Sequence, residues 1–219
     1  MSIADFFAQL RQRSNARRYP PAHLAAALAL QATPPPPDLE LRWKCAYSGR
    51  SSADFALAYR GLLSYLSIVK LAAACKAGAT VLPSAAADSV WHLLLHDTQA
   101  YTEFCRASVG FNVVHVPQRD AADLTSKSLA TTWRLACCLE AIDAVKPPRL
   151  PLLFALDTQL DWPQGHSYRL EKMGSQRRIF LGIGDNPRDV TGLLLLTAVS
   201  SVGADGTHSC GGSSCGGSH

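Results

Sequence analysis

The chain has 219 residues, 47% of them apolar and 17% charged, with a formal net charge of +4. That length allows one sizeable core, or one domain with an appendage, and the apolar share excludes an intrinsically disordered chain. The basic excess is mild and gathers partly at Arg11, Arg13, Arg17 and Arg18, which read as the solvated face of a terminal helix.

No aromatic-plus-basic RNA-binding pattern occurs, so nucleic acid is not an expected partner. The first residues carry an early acid, Asp5, and no basic region ahead of an apolar run, so no signal peptide is read there. The longest strongly apolar run, residues 193–199, falls short of the roughly 20 residues that a membrane span needs. These features predict a cytoplasmic protein without a membrane partner. The seven cysteines are then expected to be mostly reduced thiols. Cys45, Cys75, Cys137 and Cys138 lie in apolar helical text and are expected as core fillers.

In chain order, Ile3, Phe6, Phe7 and Leu10 space an amphipathic helix over residues 2–14, stopped by Pro20 and Pro21. A short Ala/Leu-rich helix is predicted over 23–31, followed by a stiff proline spacer at 34–37. Asp38 should then cap a helix running to Tyr47. Residues 52–77 hold the clearest period: Phe55, Tyr59, Leu62, Leu66, Val69 and Ala73 form one stripe of a long packing helix, ended by Gly78. Ser84 behind Pro83 signals the next start, and Asp97 or Thr98 another, in a helix ending before Gly110.

A further helix is predicted over 123–145, with Leu129, Trp133, Leu135, Leu139 and Ile142 inward and Pro147-Pro148 closing it. A shorter one follows over 150–160, closed by Trp162-Pro163 and Gly165. Alternation over 168–172 and 177–183 predicts a small hairpin, and residues 191–202 fit either a strand or a buried helix. Residues 203–219 are low-complexity and read as a flexible tail. The expected fold is therefore mainly α: one helical domain over 1–202 with six to eight helices, a small β or irregular C-terminal piece, and the tail.

Chemistry-bearing residues concentrate between Pro83 and Pro117. A helix from Ser84 places Asp88, His92 and His96 along one flank, and on the next helix Thr98, Tyr101 and Cys105 share a face. If the two helices fold back at Asp97 these faces meet, with His115 a short loop beyond. Imidazoles, a thiolate and a carboxylate are the ligand set of zinc or another transition metal, so His92, Cys105, His115 and Asp88 are the candidate ligands. Trp91, His96, Thr98 and Tyr101 would support them, Tyr101 as a hydrogen-bond donor. The alternative is a non-catalytic protein-interaction module in which the same residues only lock helices together.

Several enzyme classes are excluded on pattern. His92-Leu93-Leu94-Leu95-His96 lacks the glutamate that a zincin protease needs after its first histidine. Gly182-x-Gly184 lacks a third glycine and runs into Pro187, and neither a P-loop nor a G-x-S-x-G elbow occurs, so no nucleotide cofactor is expected. Asp157, Asp161 and Asp185 read as caps and turn formers.

The order Asp88-x-x-Trp91-His92, then Thr98-x-x-Tyr101-x-x-Phe104-Cys105, then Gly110 and His115, resembles the glycine-rich domain-containing protein family of plants and bacterial relatives. Thr132-Trp133-Arg134-Leu135-Ala136-Cys137 and Leu150-Pro151-Leu152-Leu153-Phe154-x-x-Asp157 look similar as well, so the resemblance covers about residues 50–168. It implies a mostly helical domain and a shared purpose for Asp88, His92, Tyr101, Cys105 and His115. It implies no particular reaction. This chain has Leu94 where members often carry a second histidine, and Val114-His115 in place of a histidine pair. The tail, His208-x-Cys210-x4-Cys215-x3-His219, is a second candidate ligand set, in which glycines let the backbone turn around a metal.

Overall fold

The structure, a computed structural model, describes residues 19–115, 122–144, 147–173, 176–183 and 193–194. The helix expected over 2–14, with its arginines, and the Gly/Cys tail at 203–219 lie outside the described residues. Seven α-helices are described: α1 (Pro21–Ala29), α2 (Leu39–Ala46), α3 (Ser52–Cys75), α4 (Ala85–Leu95), α5 (Thr98–Ser108), α6 (Ala122–Leu139) and α7 (Leu152–Gln159). A 3-10 turn, Leu30–Ala32, extends α1, and three strands follow α7: β1 (His166–Met173), β2 (Gln176–Ile183) and β3 (Leu193–Leu194). The fold is mainly α, as the periodicity predicts.

Five of the helices pack around α3. Ser51 and Asp54 cap it reciprocally: the Asp54 amide donates to Ser51 Oγ at 3.1 Å and the Ser51 amide to Asp54 Oδ2 at 2.9 Å. The expected stripe is only part of its buried surface. Ala58, Gly61, Leu63, Tyr65, Ile68 and Leu71 are buried too, while Ala73 is exposed. A helix buried on most sides must be central, and α1, α2, α4, α6 and α7 all pack on it. It is long and apolar enough to cross a membrane by composition, but 72% of that apolar window is buried inside the fold. At Gly61 a Cβ would stand 2.3 Å from Leu156 Cδ2, so this glycine lets α7 approach α3 closely.

Three helices end differently from expectation, for one reason. The left-handed residue that turns the chain is Lys76 after α3, Ala141 after α6 and Asp161 near the end of α7, with φ of 50°, 54° and 44°. Each is followed by the return bonds of a Schellman turn: Ala77 N–H to Ala72 O at 2.9 Å, Ile142 N–H to Cys137 O at 2.7 Å, and Trp162 N–H to Asp157 O at 2.9 Å. Hence α3 stops ahead of Gly78, and α6 stops at Leu139, leaving Ile142 beyond its end. Asp38 precedes α2 with φ 60° and no side-chain capping bond, contrary to the expected cap. Cys45 is exposed, Cys75 and Cys138 are half-buried, and only Cys137 of the four expected core cysteines is fully inside.

The hairpin forms as predicted, with β1 and β2 antiparallel and Tyr168 opposite Leu181. Leu193 and Leu194 pair with β2 as a short strand, which settles the ambiguous segment at those two positions. The hairpin docks on α7 through Tyr168, whose ring meets Phe154 edge-on at 4.9 Å between centroids.

Candidate metal centre

The site is built on α4. Its first turn is fixed from two directions: Ser84 Oγ accepts from the Ala87 amide at 3.1 Å, and a carboxylate from α7 reaches across to the same helix end. Asp157, buried, accepts from Ser84 Oγ at 2.5 Å, the Ala85 amide at 2.9 Å, the Ala86 amide at 3.0 Å and the His166 amide at 2.8 Å. A negative charge at a helix N-terminus, with four donors aimed at it, is favourable despite burial. Thr132 on α6 brackets Val81, accepting from its amide and donating to its carbonyl, both at 3.0 Å, which fixes the approach to α4. Trp43 on α2 donates to Ser89 Oγ at 2.9 Å. Ala86, Ala87, Val90, Trp91 and Leu94 face the core, so Asp88 and His92, one turn apart, are left on the open flank.

Asp97 caps α5 by accepting from the Ala100 amide at 2.9 Å. Past α5, Gly110 takes φ 98° and donates its amide to Cys105 O at 3.0 Å, turning residues 111–115 back toward α4. Tyr101 holds that return. Its hydroxyl accepts from Trp91 Nε1 at 2.9 Å and donates to Val113 O at 2.6 Å. Burial, with the Cys105 thiol beside it, pushes the Tyr101 phenol well above its ordinary range, which keeps it a donor.

His115 thereby lands edge-on against buried Trp91, ring centroids 4.6 Å apart, and 4.8 Å from the His92 ring. Asp88 stands between the two imidazoles, with Oδ1 2.8 Å from His115 Nε2 and Oδ2 3.6 Å from His92 Nε2. One ligand atom from each residue lies within 4.8 Å of the others. Side-chain exposure grades across the group, 15% for His115, 33% for Asp88 and 54% for His92, so it opens toward solvent on the His92 side.

Two nitrogens and a carboxylate oxygen suit a borderline or hard divalent ion. Bonds of about 2.0–2.1 Å place ligand atoms about 3–3.5 Å apart. Here Asp88 Oδ1 is hydrogen-bonded to His115 Nε2 at 2.8 Å, its Oδ2 stands 3.6 Å from His92 Nε2, and the three ligand atoms lie within 4.8 Å, so the side chains must shift to close on an ion. His92, the most exposed, has room to adjust.

Of the residues expected from sequence, Asp88, His92 and His115 come together. Cys105 does not join them: it is fully buried in the hydrophobic core, on the Tyr101 side of α5. His96 ends α4, exposed, and does not belong to the cluster. Thr98 opens α5, also exposed, and its carbonyl accepts from Thr102 Oγ1 at 2.8 Å. His208, Cys210, Cys215 and His219 lie outside the described residues. Asp157 emerges as a capping residue, but for a helix some 70 positions earlier in the chain, beyond the reach of a local motif.

A family model described as UCP032817-like matches residues 27–185, well over half of the chain. The chain belongs to the UCP032817-like family. That span takes in every described residue of the cluster and its supports, and the family description names no activity or ligand. The likeness to glycine-rich domain-containing proteins rests on the motif residues alone. No curated protein and no solved structure matches the chain.

Proposed function

We propose that this protein binds a divalent first-row transition metal, zinc or a close neighbour, through Asp88 Oδ, His92 Nε2 and His115 Nε2. The observation that carries this reading is the carboxylate of Asp88 lying between two Nε2 atoms supplied by separate segments. Asp88 and His92 follow from helical spacing, but His115 is brought in by a turn, a buried indole and a phenol, and that convergence supports a ligand role. Cys105 is left out of the ligand set because it belongs to the core. Trp91 and Tyr101 act as positioning residues for His115. A metal held here would polarise a bound group or lower the pKa of a bound water.

The test is a zinc titration against a competing chromophoric chelator, using the full chain and its Asp88→Ala, His115→Ala and Cys105→Ala variants. One strong equivalent is expected for the parent and Cys105→Ala, and its loss in the other two. Retention in His115→Ala, or loss in Cys105→Ala with the fold intact, contradicts the proposed ligand set. In that case the motif reads better as a lock between helices, in a protein that works through a protein partner.

A further inference from the structure

Resting on the metal reading above, we infer that residues 110–115 form a strap hinged at Gly110, and that the ion latches this strap to α4, so that metal occupancy sets how often it opens. The ligands divide between two bodies. Asp88 and His92 are one turn apart on α4, a helix fixed at its start by Ser84 and Asp157 and along its length by Trp43 and the core. His115 comes from the strap, and its ring lies over buried Trp91 to meet Asp88. An ion bound to all three joins the strap to the helix.

The strap is lightly held. Gly110, Phe111, Asn112 and Val114 are exposed, Val114 at 73%, and Val113 is the buried residue between them. It is held by that Val113 side chain, by the Tyr101 hydroxyl donating to Val113 O at 2.6 Å, and by Asp88 bonded to His115 at 2.8 Å. A surface segment with so little burial opens locally at far lower free energy than the whole fold. Gly110 is the pivot: it takes φ 98°, and its amide is bonded to Cys105 O, so α5 ends firmly on one side of it.

Linkage then gives the direction. The closed strap offers the ion three ligands and the open strap two, so the ion binds the closed form more tightly and draws the equilibrium toward it. The converse holds as well: whatever makes the strap harder to close weakens the ion. Opening carries His115 off the Trp91 indole, so loss of the metal uncovers that ring more often.

Chymotrypsin reads the opening at Phe111, because cutting requires the segment to swing free and the rate follows the open population. Zinc is the probe, added to the full chain, Asp88→Ala and Gly110→Ala, with affinity taken from chelator competition and the fragments identified by mass. At saturating zinc the cut after Phe111 is expected to slow about tenfold or more in the parent and to stay unchanged in Asp88→Ala. A Cβ at Gly110 meets nothing within 4 Å, so Gly110→Ala strains only the backbone. It alters no ligand, yet it is expected to weaken zinc binding about 5–30-fold and to be cut faster than the parent without zinc. One strong zinc equivalent with an unchanged cutting rate overturns the inference, and so does a Gly110→Ala chain that binds zinc as tightly as the parent. A parent that binds no zinc removes the metal reading itself, a result distinct from these two.

Discussion

Asp157 meets the first turn of α4 with its carboxylate filled, four donors on two oxygens and almost no solvent contact. Asp88, four residues into the same helix, is one third exposed and faces two imidazoles at unequal distances. The first arrangement is finished, since every lone-pair direction has a partner and the burial cost of the charge is offset by fixed dipoles. The second has spare acceptor capacity and neighbours able to ligate. One helix thus carries a carboxylate that organises the fold and another, bonded to His115 on the open flank, that is the proposed ligand. Satisfaction, rather than burial alone, separates the two roles.

The largest expected effect breaks the finished end. Asp157→Ala leaves Ser84 Oγ, the buried Ala86 amide and the part-buried amides of Ala85 and His166 without their acceptor and should cost upwards of about 3 kcal/mol, read by chemical denaturation. Gly165→Ala tests the same junction sterically. Its Cβ would stand 2.8 Å from Asp157 Cβ and 3.0 Å from Trp162 O, a backbone atom that cannot step aside. A loss of about 1–3 kcal/mol is expected.

Tyr101→Phe connects the two ends of the comparison. It leaves Trp91 Nε1 without its acceptor and Val113 O without its donor, at an expected cost of about 1–3 kcal/mol. It should also weaken metal binding by about 10–100-fold, since His115 loses its support. A drop in stability without a drop in affinity would show that Tyr101 only braces the core.

The smallest effect belongs to an exposed, self-contained cap. The Ser51 backbone amide bonded to Asp54 holds its carboxyl below the ordinary value of 3.8. A depressed carboxyl contributes stability above its unfolded pKa and loses it as pH falls through the folded value. Asp54→Asn should therefore cost less than about 1 kcal/mol at neutral pH, with the difference from the parent vanishing in acid.

Much of this was legible in the chain because it is local. Ser84 and Asp97 are caps with their partners three residues on, and Asp88 with His92 is a one-turn spacing. The hairpin alternation is also local, and all of these appear where expected. The rest depends on residues far apart in sequence or on backbone choices that residue type does not announce. Cys105 shares a face with Tyr101, as its spacing requires, but that face turns into the core, and the return of residues 111–115 carries His115 over α4 instead. Asp157 reads from the sequence as a cap or turn former, and it is a cap, but the helix it caps begins more than 70 positions earlier, which no local pattern announces. Lys76, Ala141 and Asp161 end or turn helices in a conformation usually given to glycine, so residue type does not mark these stops.

The most direct test crosses the two carboxylates with the metal. Thermal unfolding of the parent, Asp157→Asn and Asp88→Asn is followed with and without zinc at about 100 times its dissociation constant, where binding should add about 2.7 kcal/mol, or roughly 5–10 °C in Tm. The account predicts that Asp157→Asn melts well below the parent but keeps the zinc-induced rise. Asp88→Asn should melt close to the parent and lose that rise. A zinc-induced rise that survives in Asp88→Asn, or an Asp88→Asn chain that is as unstable as Asp157→Asn, would contradict the division of roles and with it the proposed site.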